Sequence, residues 1–287
     1  MKIAEILVQA KKDLDASGVG SSRLDSLILL SYAISFSREQ LIFNPDFELD
    51  KAQQQNFFAL LERRKARQPV SQIIGKREFF GGDFFVNSDV LDPRPDSESL
   101  IELVLERFPN RDKKIKILEL GVGSGCLIIT LLKAFKNAAA IGFDASDKAL
   151  EVAKKNAQNH QVLQRLKLQN SNLFSALNDG QKFDLIISNP PYIPSKEIEN
   201  LQDEIRLFEP LLALDGGVDG LDFYRKIAAQ SQNFLAENGQ IILEIGFGQK
   251  AEISEIFAQE NFFLAAFKLD LPGVERVLCF VKNHDSC

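Results

Sequence analysis

The sequence predicts an α/β protein: a seven-stranded, mostly parallel, Rossmann-like sheet whose last strand is antiparallel, preceded by a small helical N-terminal domain and a β-hairpin linker. Three observations predict it. From Lys114 onward, apolar runs of strand length alternate with helical stretches, a pattern that yields parallel strands joined by right-handed crossovers. Before about residue 70 only helical spacing appears. Between the two, a short aromatic segment around Gly81-Gly82 has the form of a hairpin. The expected domains are therefore residues 1–72, helical; 73–92, the hairpin linker; and 93–287, the sheet domain.

In the first domain, Ile3, Ile6, Leu7, Ala10 and Leu14 recur at three and four until Gly18 and Gly20 break the pattern. Ser21 or Ser22 is placed to cap a second helix with an apolar face of Leu24, Leu27, Ile28, Ala33 and Ile34. Pro45 marks a turn, and Ala52, Phe57, Phe58, Leu60 and Leu61 lead into the basic cluster Arg63-Arg64-Lys65-Ala66-Arg67. That cluster is expected to be a solvated helix end favoured by the helix dipole. The segment 78–86 reads as two aromatic strands around Gly-Gly. Leu91-Asp92-Pro93-Arg94-Pro95-Asp96-Ser97-Glu98 then forbids regular structure until Ser97 caps a helix over 101–108.

The expected strands of the sheet are 115–120, 139–143, 166–168, 183–188, 240–245, 263–269 and 276–281, with helices such as 147–157 and 223–236 between the first five. Only Asp270-Leu271-Pro272-Gly273-Val274 separates the last two strands. That is too short for a crossover, so they should pair antiparallel at one edge.

A length of 287 residues with 45% hydrophobic composition is ample for a packed core. The net charge is −6. It is uneven: residues 1–85 hold 12 Lys/Arg against 11 Asp/Glu, and the rest 22 against 29. An acidic second half argues against a protein that grips nucleic acid through its overall field, so no stable nucleic-acid partner is expected. No apolar run approaches the ~20 residues of a membrane helix. The amino terminus lacks the apolar core and cleavage site of a signal peptide, so the expected location is cytoplasmic. Cys126, Cys279 and Cys287 have no C-x-x-C spacing, and His160 and His284 are the only imidazoles, so neither a disulfide framework nor a metal site is expected.

The first sheet strand ends in Glu119-Leu120-Gly121-Val122-Gly123-Ser124-Gly125-Cys126 and runs into an apolar helix. Such glycines let a ligand approach the backbone at a helix amino terminus. The dinucleotide fingerprint would need a glycine at Cys126, which weakens a pyrophosphate reading. The second strand ends at Asp144, where a carboxylate can accept from both hydroxyls of a ribose. Glu119 sits where it can meet an ammonium group, which a dinucleotide lacks and S-adenosylmethionine has. Phe183-Asp184-Leu185-Ile186-Ile187-Ser188 is a buried strand that stops at Asn189-Pro190-Pro191-Tyr192, a rigid carboxyl end where ligands sit in an open α/β sheet. Together these features favour S-adenosylmethionine as cofactor.

With those residues in view, the chain resembles the N5-glutamine methyltransferases of peptide chain release factors over nearly its whole length. The resemblance lies in Arg63-Arg64 leading to 68–75, in 78–81, and in 91–95. It continues in Ser188-Asn189-Pro190-Pro191-Tyr192-Ile193, Glu209-Pro210, Ala213-Leu214, Gly216-Gly217, 219–221, Tyr224 and Glu244-Ile245-Gly246. Departures from the family pattern are Asp92, Asp96 and Ser97 in the linker, Asn172 in place of an aspartate, and Leu173, where a tryptophan occurs in the family. The resemblance implies a seven-stranded Rossmann-like methyltransferase sheet and S-adenosylmethionine as methyl donor. It implies release factors as protein substrate, with the glutamine of their Gly-Gly-Gln loop methylated on its side-chain nitrogen, and a first domain that helps recognise them. The implied cofactor-binding residues are Glu119, Gly121, Val122, Gly123, Ser124, Gly125, Asp144, Asn172, Leu173 and Asn189. Asn189, Pro190, Pro191 and Tyr192 bind the substrate, and Asn189, Pro190 and Tyr192 act in catalysis.

The chemistry suits that motif. A primary amide nitrogen is a poor nucleophile that does not lose a proton near pH 7. It needs placement in line with the methyl group and acceptors for both N–H groups. The Asn189 side-chain oxygen and the Pro190 carbonyl are the two expected acceptors, and Tyr192 can cover the planar group and the sulfonium side. The exocyclic amine of adenine fits the same pair, so an N6-adenine methyltransferase acting on DNA or RNA is the alternative. A non-catalytic cofactor-binding adaptor is a third reading. The acidic second half and the short loop from Ile193 to Asp222 favour protein as substrate.

Overall fold

The computed structural model describes residues 1–283; His284 and Cys287 lie outside the described residues. Five helices open the chain: α1 (Ile3–Ala16), α2 (Ser22–Ile34), α3 (Arg38–Phe43), α4 (Lys51–Lys65) and α5 (Val70–Ile74). A hairpin of β1 (Arg77–Phe79) and β2 (Gly82–Phe84) comes next. Then come α6 (Glu98–Arg107), β3 (Lys116–Leu120), α7 (Cys126–Ala134), β4 (Ala139–Asp144), α8 (Asp147–Asn159), β5 (Leu166–Asn170) and β6 (Phe183–Ser188). The remaining elements are α9 (Asp203–Phe208), α10 (Asp222–Phe234), β7 (Leu235–Glu244), α11 (Lys250–Gln259), β8 (Phe262–Leu269) and β9 (Glu275–Lys282). Two compact units result: residues 1–76 with 202–208, and residues 77–201 with 209 onward. Helix α9, which sequence spacing leaves inside the sheet domain, clusters with the first unit.

The first unit is a helical cluster. Ile3, Ile6, Ala10 and Leu14 of α1 are buried as their spacing predicts. Helix α2 departs from expectation. It buries Ser22, Asp25, Ser26, Leu29, Leu30 and Ile34, while Leu24 is exposed. The reason is a buried ion pair: Arg64 Nε donates to Asp25 at 2.7 Å, and Arg64 Nη2 and Arg67 Nη2 donate to Glu204 of α9 at 2.9 and 2.6 Å. The basic cluster is therefore not wholly a solvated helix end, because Arg64 is only 5% exposed. A hydrophobicity pattern cannot foresee a face organised around a carboxylate.

In the second unit, all seven expected sheet strands are present in the order β5-β4-β3-β6-β7-β9-β8. Strands β3 to β7 are parallel, and β9 runs antiparallel to both neighbours, placed between β7 and the edge strand β8. Strand alternation divides the core. Ile117 faces a layer with α6 and α7, whereas Leu118 and Leu120 face a layer with α10 and α11, so helices cover both faces. Helix α10 stops at Phe234 rather than at Ala236, because Leu235 already pairs with Phe183 ahead of a bulge.

The hairpin belongs to this unit. Its turn residues are Phe80 and Gly81, both at positive φ as a two-residue hairpin requires, so the turn falls one position before the expected Gly-Gly. Asn156 of α8 pins the chain just beyond β2, accepting from Phe85 N at 2.7 Å and donating to the carbonyls of Phe85 and Ser124. Ser97 precedes α6 but does not cap it; its hydroxyl points elsewhere.

Candidate active site

The carboxyl ends of β3, β4 and β6 meet where the order of the sheet reverses, the position at which open α/β sheets bind ligands. A cavity of about 560 Å³ opens there. Of the site residues named from sequence, Glu119, Gly121, Val122, Gly123, Ser124, Asp144, Asn172, Leu173, Asn189 and Pro191 line it. Gly125, Pro190 and Tyr192 do not. Gly125 precedes α7 at φ +80, where an added Cβ would lie 2.9 Å from the Ile129 side chain, so it serves helix packing. Gly121 and Gly123 also have positive φ, but a Cβ there would meet nothing within 4 Å, which leaves the loop open to a ligand.

Asp144 Oδ2 accepts from Gly123 N at 2.9 Å and Oδ1 from Ser146 N at 2.9 Å, which fixes the carboxylate against the glycine loop. Burial raises its pKa, and backbone hydrogen bonds oppose the rise. Glu119, 1% exposed, accepts from Ile128 N in the first turn of α7 at 3.1 Å. Burial pushes its carboxyl well above the usual range, and its charged neighbour is another acid, Asp144. These donors and acceptors fit S-adenosylmethionine: a carboxylate at the cavity able to accept from a diol, a buried acid whose charged neighbour is another acid, and an open glycine backbone between them.

The Asn-Pro-Pro-Tyr loop is held from behind. Ser188 Oγ donates to Leu120 O at 2.7 Å, Ile193 N donates to Leu214 O at 3.1 Å, and Gly216 N donates to Ile193 O at 2.9 Å. Gln249 Nε2 donates to Tyr192 O at 3.1 Å, and a Cβ on Gly220 would collide with that same oxygen. The Tyr192 ring packs on the core layer beneath, and burial pushes its hydroxyl up to about 12.

Two side-chain constellations escaped sequence reasoning. Arg94 Nη2 donates to both oxygens of Glu209 at 2.8 and 2.7 Å, and burial still pushes Glu209 up to about 7. Asn189 Nδ2 donates to Ser97 Oγ at 3.2 Å, and Ser97 Oγ donates to Glu244 Oε2 at 2.5 Å. Glu244, at the end of β7, is 1% exposed and also pushed up to about 7 by burial. Its signal was available: an acid ending the apolar run Ile241-Ile242-Leu243 at a strand's carboxyl end.

Comparison with known proteins identifies the family. Residues 5–75 match the PrmC N-terminal domain and residues 95–207 the methyltransferase small domain. A release factor glutamine methyltransferase of Agrobacterium fabrum is 39% identical over 277 residues, covering 96% of this chain and 95% of that one. The chain belongs to the release factor glutamine methyltransferases. A second release factor glutamine methyltransferase, from Clostridium acetobutylicum, is 37% identical and covers 99% of both chains. A solved methyltransferase of Pyrococcus furiosus shares the fold, with a TM-score of 0.53 at 18% identity over 79% of this chain and 98% of that one. Among the described residues of this release factor glutamine methyltransferase, no helix is long and apolar enough to cross a membrane.

Proposed function

We propose that this enzyme transfers a methyl group from S-adenosylmethionine to the side-chain amide nitrogen, N5, of the glutamine in the Gly-Gly-Gln loop of peptide chain release factors. The observation that carries this reading is the near-complete, end-to-end similarity to release factor glutamine methyltransferases, which includes the N-terminal helices as well as the sheet. A methyltransferase sheet alone leaves the substrate open. We assign recognition of the release factor in part to the first helical domain, and a cytoplasmic location follows from that substrate. The acidic balance after residue 85 supports protein over nucleic acid as partner.

When bound, S-adenosylmethionine supplies an electrophilic methyl on a positively charged sulfur. The chain's own residues do the rest. Gly121 to Ser124 bring the backbone against the cofactor, with Gly125 packing the helix behind them, Asp144 accepts from its ribose hydroxyls, and Glu119 faces its ammonium group. Asn172 and Leu173 line the adenine side. Asn189 Oδ1 and the Pro190 carbonyl accept the two amide hydrogens of the substrate glutamine, which orients the nitrogen lone pair and favours the charge that develops on it. Pro191 and Tyr192 keep those acceptors in place, Tyr192 by bracing the loop from the core side.

Replacing Asn189 by Ala tests the assignment. Turnover should fall by about 10²–10³, the scale of removing one preorganised polar partner, with cofactor affinity nearly intact. Single-turnover methylation of a release factor and calorimetric cofactor binding measure the two separately. Lost affinity with surviving turnover would place Asn189 in cofactor binding instead.

A further inference from the structure

We propose that Ser97 and Glu244 are positioning residues that decide which end of the Asn189 amide faces the reacting nitrogen: ionised Glu244 holds the amide productive, and a proton on Oε2, the Glu244 oxygen that faces Ser97, reverses it. The proposal rests on the reading of Asn189 as an acceptor for the substrate amide.

The number of available hydrogens decides the orientation. Ser97 has one hydroxyl proton and two partners, Glu244 Oε2 at 2.5 Å and the Asn189 side chain at 3.2 Å. A carboxylate cannot donate. With Glu244 ionised, the Ser97 proton must go to Oε2, and Ser97 can then only accept from Asn189. That forces Nδ2 inward. The geminal Oδ1 is left for the cavity that Asn189 lines, where an acceptor is needed. Placing a proton on Oε2 inverts the chain: the acid donates to Ser97, and Ser97 donates to Asn189. The amide must then turn Oδ1 inward and present Nδ2 to a substrate amide that is itself a donor. No covalent bond changes except that of the one proton taken up.

Ser97 is 3% and Glu244 1% exposed, so water offers neither an alternative partner. The groups that act on Glu244 come from every neighbouring element. Arg276 of β9 and the hydrogen bonds from Ser97 and Asn189 favour its charge, and Asp96 of the turn before α6 opposes it. Arg276 is shared with Asp270 at 3.0 Å and Asp96 at 3.5 Å. Tyr224 of α10 donates to the Glu244 carbonyl at 2.9 Å. Burial pushes Tyr192 and the Cys126 thiol at the start of α7 up to about 12, and raises Tyr224 well above its ordinary value, so all three stay neutral where Glu244 titrates. Glu209 titrates in the same range but bonds to Arg94, not to the Asn189 chain.

The test is the pH profile of turnover, at saturating cofactor and release factor, from about pH 5.5 to 9. It compares wild type with Glu244→Gln, Ser97→Ala and Ser97→Thr. Wild-type turnover should rise with pH along a single-proton limb. Glu244→Gln cannot ionise and Ser97→Ala cannot relay; both should lose that limb, fall by about tenfold at the plateau, the lower end of the polar-partner range, and leave the KM for the cofactor almost unchanged. Ser97→Thr keeps the hydroxyl and should restore the limb. A limb that persists in Glu244→Gln belongs to Glu209 and overturns the proposal. A wild-type profile in Ser97→Ala overturns it as well, and this smaller change decides the matter if Glu244→Gln does not fold. The Asn189→Ala variant separates the two readings. Full turnover there removes the acceptor role itself, whereas lost turnover with an undisturbed limb in the other variants removes only the relay.

Discussion

Buried charge is handled in opposite ways in the two compact units. In the helical unit, Asp25 and Glu204 are met by the guanidinium groups of Arg64 and Arg67 within 2.6–2.9 Å. In the catalytic unit, Glu119 has an acid for its charged neighbour, and the hydrogen bond Glu244 receives at closest range comes from the neutral Ser97 hydroxyl. Both glutamates are pushed up by burial as a result. The first arrangement is compensated within the fold and holds helices together. The second leaves Glu119 in the wall of a cavity with no cation among its partners, and buries Glu244 behind that wall, where the Coulombic pull of Arg276 offsets its burial only in part. Perturbed acids thus separate the site from the scaffold more sharply than the amount of buried charge does.

The largest effect should come from breaking the compensated set. Arg64→Met strands Asp25, removes one of the two guanidinium partners of Glu204 and is expected to cost about 3–5 kcal/mol, whereas replacing Asp25 by Leu in the same chain should return much of that loss. Denaturant unfolding of both variants checks it. A loss of less than about 1 kcal/mol for Arg64→Met would put this pair in the class of surface ion pairs and erase the contrast.

Next is the pH dependence of Glu244. Its folded value of about 7 lies above the ordinary 4.5, so the stability it contributes is fully present below about 4.5 and is lost as pH rises through about 7. The loss amounts to at most roughly 3 kcal/mol. Glu244→Gln has no charge to bury. Its melting temperature should therefore match wild type near pH 5 and exceed it near pH 8.5. An equal gap at both values would show that Glu244 does not titrate with folding.

The smallest of the three is Asp144→Ala. Two lost ribose hydrogen bonds, partly replaced by water, should weaken cofactor binding by about 1.5–3 kcal/mol while turnover at saturation changes little. Calorimetry of cofactor binding measures it. Unchanged affinity would make Asp144 a structural acid like Asp25 and blur the line between the two units.

Much of the fold could be read from local pattern. The glycine loop, the acid ending the second strand, and Asn189 and Pro191 after β6 stand at the cavity because each sits at the carboxyl end of a strand, and parallel connectivity brings those ends together. Local pattern misleads where a distant side chain changes the meaning of a local one. The face of α2 was displaced because Arg64, 39 residues along the chain, turned Asp25 inward. Ser97 looked like a helix cap because its hydroxyl precedes α6, yet Glu244, 147 residues away, takes its proton.

By itself, then, the sequence determined the strands, their parallel order of connection, the antiparallel end and the residue types at the site, because these follow from periodicity, turn chemistry and loop length over a few residues. The tertiary structure alone decided that the last strand lies between β7 and β8 rather than at the edge. It also decided that Tyr192 packs behind the cavity and that the Asn189 amide is oriented through Ser97 by Glu244. The physical reason is common to these outcomes: where a side chain points, and which partner takes its proton, depends on groups that only folding brings within hydrogen-bond reach.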